Sequence, residues 1–315
     1  MWIAKRIGTA ALLVWIVISI VFLAIRFVPG DPAELLLSQG GTSPDPYIVA
    51  ELRSQLGLDV PIWQQYLLNL QQLSRFHLGQ SLQDEAPVAE EILKRLPRTL
   101  ELIGVAAVLS VLIGIPCGVV AALRRGGLFD RIVTWLAGLS LAIPVFVVGT
   151  VLVLVLAQWL RLVPAGGFTP FATDPLRHVT QLLMPALAIA SNLTPVVLRM
   201  TRASVLDVML KDYVRTARAK GVAPRRITIR HILRNALIPV VTVLGLHLGT
   251  LLGGTVLVEF VFNYPGLSGL LVDAVNARDY PMVEGVVLVI SVLFVLLNLA
   301  MDLIYAALDP RVRHS

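Results

Sequence analysis

Two groups of residues in this 315-residue chain combine a charged or polar type with a telling arrangement. The first is a basic run: Arg199, Arg202, Lys211, Arg215, Arg218, Lys220, Arg225, Arg226, Arg230 and Arg234 stand against only Asp207 and Asp212. Such a run can pair with acids on a partner protein or with anionic lipid. The second group sits inside long apolar stretches: Glu259, Asp302, Asn192, Thr194 and His247, with Thr250 and Thr255. Polar groups are costly in a bilayer, so these are candidates for a translocation path or gate. Nucleotide and hydrolase motifs are missing. None of the four lysines, Lys5, Lys94, Lys211 and Lys220, follows a glycine, so the phosphate-cradling G-x-x-x-x-G-K-[ST] loop is absent. H-E-x-x-H and G-x-S-x-G are absent as well. Cys117, the single cysteine, lies in an apolar run and reads as packing, and no metal site is expected.

The elements that must position these residues are membrane spans. The chain is 57% hydrophobic and 15% charged, whereas soluble domains carry about 25% charged residues. That excludes a disordered chain, an ordinary nucleic-acid-binding domain and a disulfide-stapled secreted module. Apolar stretches at about 7–28, 99–123, 132–160, 179–198, 236–262 and 282–308 each reach the ~20 residues that a spanning helix needs. The expectation is an all-α polytopic membrane protein with six transmembrane helices. Pro185, Asn192, Thr194 and Pro195 interrupt the fourth stretch, which is expected to be broken and enclosed by protein or a water-filled cavity. The first stretch is longer than a signal-peptide core and lacks a cleavage site, so it reads as an uncleaved anchor. With both termini in the cytoplasm, 17 of the 26 basic residues fall inside, and the outer segment 29–98 carries nine acids against five bases.

Two segments lie outside the spans. The outer one, rich in Gly and Pro, carries apolar residues at helical spacing: Ile48, Leu52 and Leu56, then Ile62, Tyr66, Leu67, Leu70 and Leu73. Short helices at about 47–56 and 62–73 are expected, forming a cap over the spans or a docking surface. The inner segment, about 199–238, has a net charge of +8. Val205, Met209, Tyr213 and Ala217 recur at helical spacing before Gly221 ends the helix, and Pro224 suits the first turn of the next. Helix, Gly-containing turn and helix follow one another, with apolar positions that want a partner.

That inner segment carries a resemblance. Asp212-Tyr213-Val214-Arg215-Thr216-Ala217-Arg218-Ala219-Lys220-Gly221, followed by Arg234-Asn235-Ala236-Leu237-Ile238-Pro239, resembles the EAA loop of binding-protein-dependent ABC importer permeases, in the dipeptide/oligopeptide/nickel branch. Arg215 and Thr216 replace the first two consensus residues, and Ala217 and Gly221 keep theirs. Arg26-Phe27-Val28-Pro29-Gly30-Asp31-Pro32 is similar to the same branch. So are Leu78-Gly79-Gln80-Ser81-Leu82, Arg95-Leu96-Pro97-Arg98-Thr99-Leu100-Glu101 and Glu259-Phe260-Val261-Phe262-Asn263-Tyr264-Pro265-Gly266-Leu267. The motifs cover almost the whole chain in order.

The resemblance implies a type I ABC importer permease-like fold. Its first helix would cover 1–28, the extracytoplasmic segment 29–98, and the five-helix core 99–315 with its coupling loop. It implies a second permease, two ATP-binding subunits and an extracytoplasmic substrate-binding protein, in a prokaryotic plasma membrane. ATP and magnesium would sit on the partner ATPases, with no cofactor here and no nucleic acid. Asp212, Tyr213, Arg215, Thr216, Ala217, Arg218, Lys220, Gly221 and Arg225 would form the ATPase-coupling loop, with Tyr213 and Ala217 on one face. The substrate implied is a short peptide, with glutathione and nickel or metallophore complexes as alternatives within the branch. A secondary transporter or channel would show inverted repeats and paired broken helices, and an intramembrane enzyme would need a second acid beside Glu259 or Asp302. Gly245, Gly249, Gly253 and Gly254 follow small-xxx-small spacing and imply a close helix contact. Asp302 is expected to pair with Arg311 or with the partner permease.

Overall fold

The computed structural model describes residues 2–27, 34, 45–55, 57, 59–75 and 77–308. Residues 28–32, Leu56 and Arg311, which figure in the sequence reading, lie outside them, as do the side chains of Leu52 and Asp302. The order of elements is α1 (Trp2–Phe27), α2 (Pro46–Gln55), α3 (Ile62–Ser74), α4 (Val88–Leu123), α5 (Leu128–Ala142), α6 (Val145–Leu152), α7 (Pro175–Met209), α8 (Asp212–Ala219), α9 (Arg234–Gly254), α10 (Val256–Val261), α11 (Leu267–Asn276) and α12 (Tyr280–Leu308). A π-helical segment, Val153–Trp159, extends α6, and another, Ile227–Leu233, leads into α9. Among the described residues five helices are long and apolar enough to cross a membrane, and a sixth span results if the bent pair Leu128–Ala142 and Val145–Trp159 counts as one. The two short helices of segment 29–98 fall where their periodicity placed them.

The break is in the third apolar stretch and not the fourth. Ile143 takes an extended conformation before Pro144, as residues preceding proline prefer, and the helix axis turns by 101° there. In α7 the helix runs unbroken for 35 residues through Pro185 and Pro195. Pro195 has no N–H, so the carbonyl of Ser191 loses its helical donor. The Ser140 hydroxyl of α5 donates to that carbonyl at 2.5 Å, replacing the missing bond from outside the helix.

The chain divides into two compact units, residues 1–97 with 269–295 and residues 98–268 with 296–315. In the first unit Phe22 of α1 is fully buried and meets the ring of Tyr66 edge-on, while Ser19 and Tyr66 share a 2.6 Å hydrogen bond. Arg26 reaches Glu284 at 3.4 Å, and Asn69 donates to the other oxygen of that carboxylate at 2.5 Å. Ser81, in the Leu78–Leu82 motif, donates to buried Asp279 at 2.5 Å. In the second unit α7 supplies the centre. One core joins Leu102 and Ala106 of α4 to Leu182, Met184 and Ile189 of α7 and to Val258, Phe262 and Tyr264. Gly114 and Gly118 let α4 approach closely: a β-carbon on Gly118 would lie 2.7 Å from the Leu198 carbonyl oxygen, and one on Gly114 2.9 Å from Val197. Gly245 and Gly249 are buried, whereas Gly253 and Gly254 have nothing within 4 Å of an added β-carbon, so small-xxx-small spacing marks a tight crossing on α4 that the sequence reading did not single out.

Candidate functional site: the inner loop and the ends of the spans

α8 stands on a base made by its own chain. Val214 is fully buried and Ala217 nearly so, packed with Ala122 of α4, Val205 of α7, Ile227, Ile232 and Ala236. Val214 and Ala217 are therefore covered from within, whereas Leu210 and Ile229 of the same loop are exposed. Tyr213 does not share that face. It is 45% exposed, and its hydroxyl accepts a 3.1 Å hydrogen bond from Asn235. Periodicity alone linked Tyr213 to Ala217, but the actual burial runs from Val214 to Ala217, three residues apart. What α8 presents outward is polar: Asp212, Tyr213, Arg215, Thr216, Arg218 and Lys220 are all exposed, as is Arg225 just beyond. Asp212 and Arg215 form an exposed 3.6 Å pair, and the Thr216 hydroxyl donates to the Asp212 carbonyl.

Gly221 ends α8 in a left-handed conformation with φ +71°. The Gly221 N–H donates to the Arg218 carbonyl and the Val222 N–H to that of Ala217, while Val222 packs on the same core as Ala217. This is a Schellman closure, and it holds the loop to its base. Pro224 then opens the next turn at its first position.

Above the loop, Arg202 of α7 meets Asp130 of α5 through two hydrogen bonds, Nε at 2.6 Å and Nη2 at 2.9 Å. Asp130 is 4% exposed and also accepts from the Gly126 N–H at 2.8 Å. The clamp fixes the turn between α4 and α5 to α7, near the point where α7 hands over to α8. Asp130 had no periodic or motif signal to reveal it.

The intramembrane candidates do not converge. Glu259 is buried, accepting from the hydroxyls of Thr99 at 2.9 Å and Thr255 at 3.1 Å. Thr99 in turn accepts from the Leu267 N–H at 2.7 Å, and Arg98 donates to the Pro265 carbonyl. Two sequence motifs, residues 95–101 and 259–267, thus lock together around this carboxylate, which holds the turn from inside. Tyr264 donates to the Arg98 carbonyl, and burial pushes its hydroxyl well above its ordinary range, so it stays a donor. Asn192 is exposed. Thr194 is half-buried and lines an apolar cavity of about 350 Å³ with Cys117 and Ser140. His247 is half-buried, and its carbonyl accepts from the exposed Thr250. Among the described residues no side-chain hydrogen bond links Asn192, Thr194 and His247.

Sequence reasoning also passed over His178. It is 5% exposed, with Nδ1 2.8 Å from the Thr169 carbonyl and Nε2 2.8 Å from Glu101. The rings of Phe168 and Phe171 meet its ring in T-shaped contacts, and the Arg98 guanidinium lies over Phe168. Residues 77 positions apart make this contact, so no local spacing announces it.

A helical membrane bundle with a basic loop anchored in this way fits the architecture of an ABC importer permease. Residues 114–314 match the family described as binding-protein-dependent transport system inner membrane component, and residues 1–103 match the N-terminal component of the same systems. The chain belongs to that family and is a permease component of a binding-protein-dependent ABC importer. It is 38% identical over 337 residues to the dipeptide transport system permease protein DppB of Escherichia coli K12, covering 100% of this chain and 99% of the relative. It is 38% identical over 314 residues to the glutathione transport system permease protein GsiC of the same strain, with the same coverage. Among solved structures, an inward-facing form of the MetNI methionine ABC transporter matches with a TM-score of 0.57 and 20% identity, over 71% of this chain and 98% of that one. At that identity the likeness concerns the fold.

Proposed function

We propose that this chain forms, with a second permease, the translocation path for short peptides across a prokaryotic plasma membrane, driven by ATP hydrolysis on two separate subunits. The peptide substrate is supported by full-length similarity to a dipeptide permease; the similarity to a glutathione permease stays within the same chemical class, since glutathione is itself a short peptide. Both termini lie in the cytoplasm in this reading, residues 29–98 face outward to a substrate-binding protein, and 99–315 form the core with its coupling loop 199–238.

The observation that carries the coupling role is the division of α8 into two faces. Val214 and Ala217 anchor it to the spans, while Arg215, Arg218 and Lys220 are exposed, as is Tyr213 although its hydroxyl is held by Asn235. A short helix held stiffly on one side and polar on the other transmits motion to whatever docks on it. Asp212, Thr216 and Arg225 extend that outer surface, and Gly221 closes it. Ala217 acts from the buried side. Asn192, Thr194 and His247 remain candidates for the path, and Glu259 supports it from the outer turn. Asp302 keeps its assignment as a path or pairing residue.

The test is to tag the chain, extract it gently from its native membrane and identify by mass spectrometry what copurifies. Two ATPase subunits and a second permease are expected. A chain that purifies alone, with transport persisting without ATP, would overturn the proposal.

A further inference from the structure

Two arginines lie one turn apart at the end of α7 that leads to the loop, and among the described residues only one of them has a carboxylate partner. Arg202 spends Nε and Nη2 on Asp130, and Asp130 also holds the Gly126 N–H, so its charge is committed. Arg202 Nη1 is left over. Arg199, one turn earlier on α7, is exposed, and among the described residues no acid pairs with it. Both line a cavity of about 530 Å³ bounded by α5, α7 and α9. Thr134 is its other polar contributor, and Leu141, Val196 and Val243 wall it with hydrocarbon. All three helices belong to segments apolar enough to span a membrane.

An unneutralised guanidinium beside such walls calls for an anion with an apolar body. We propose that the cavity takes an anionic phospholipid, its phosphate on Arg199 and the spare Nη1 of Arg202, its acyl chain along Leu141, Val196 and Val243. A guanidinium fork matches phosphate oxygens two at a time. Basic pockets between spanning helices are known to bind anionic headgroups. A translocating peptide suits the site less well, because its backbone amides would find no partners on these walls. On the orientation proposed above, the lipid belongs to the cytoplasmic leaflet. It would brace α5, α7 and α9 just above the loop, and its binding does not depend on which peptide is carried.

The experiment uses the assembled transporter, delipidated in detergent and titrated with phosphatidylglycerol, with phosphatidylcholine, and with inorganic phosphate alone. Native mass spectrometry counts retained lipid, and the melting temperature is followed in parallel. The wild type is expected to keep phosphatidylglycerol in preference to phosphatidylcholine and to melt higher when it is bound. Arg199→Gln is expected to weaken retention about tenfold, the worth of one charge-assisted pair. Arg199→Lys keeps the charge without the fork and should fall between, which preserves the test if the Gln variant fails to assemble. Equal retention in the wild type and Arg199→Gln would overturn the proposal. So would stabilisation by inorganic phosphate alone equal to that by phosphatidylglycerol, which would make this a free-anion site. Loss of a copurifying subunit from Arg199→Gln at an unchanged lipid count would also refute it, assigning the cation to a subunit contact.

Discussion

The carboxylate of Glu259 lies directly against Gly266: a β-carbon on Gly266 would come within 2.3 Å of the Glu259 carboxyl carbon. The turn that ends the fifth span is therefore built around a buried acid, with glycine as its floor. Gly266→Ala is expected to displace a carboxylate that already holds Thr99 and Thr255. Glu259→Ala should leave the Thr99 hydroxyl without its acceptor, at about 1–3 kcal/mol for a buried group, while Thr255 keeps Ser268 as a partner; Glu259→Gln keeps an acceptor and should be milder. Melting of the detergent-solubilised protein ranks the three. A Gly266→Ala variant as stable as the wild type would refute the packing argument.

The Asp130–Arg202 clamp gives a second expectation. Asp130 is buried but Arg202 is part-buried, so removing the carboxylate charge leaves a partly solvated guanidinium stranded and should cost less than the about 3–5 kcal/mol of a fully buried pair. Asp130→Asn should therefore lower the melting temperature more than Asp130→Leu combined with Arg202→Met. If the single and double variants melt alike, the pair contributes nothing specific.

Gly221 has open space around it, so its constraint is conformational and not steric crowding. A β-branched residue at φ +71° meets the left-handed penalty of about 1–2 kcal/mol. Gly221→Val should loosen the end of α8, visible as faster amide exchange over residues 217–222, while Gly221→Asn should be tolerated. Equal exchange in the two variants would contradict this.

Much of the architecture was legible in the sequence, because it rests on local signals. Apolar runs announced the spans, Gly221 the end of α8 and Pro224 the start of the next turn. The fourth stretch is enclosed by protein as expected, but the expected break failed for a physical reason. Proline removes an N–H at Pro144 and at Pro195 alike, but whether the helix survives depends on what satisfies the freed carbonyl, and for Pro195 that is Ser140, 51 residues from Ser191. Long-range pairs were equally hidden: Asp130 with Arg202 is separated by 72 positions and Glu101 with His178 by 77. The inner loop was found by charge, yet its buried face was misjudged, since Val214 and not Tyr213 packs with Ala217. Glu259 was visible as a lone acid in an apolar run, while its role required Thr99 and Gly266 to be seen beside it.

The central claim is that α8 couples this permease to ATP hydrolysis on other subunits. The direct measurement is ATP-dependent peptide uptake and peptide-stimulated ATP hydrolysis by the assembled transporter in proteoliposomes, with Arg215→Glu and Arg218→Glu combined. Both residues are exposed and outside the loop's buried base, so the fold should be retained. The account predicts that uptake falls about tenfold or more, as expected when a charge-complementary contact is reversed, with hydrolysis no longer responding to peptide. Uptake and stimulation at wild-type levels would contradict it.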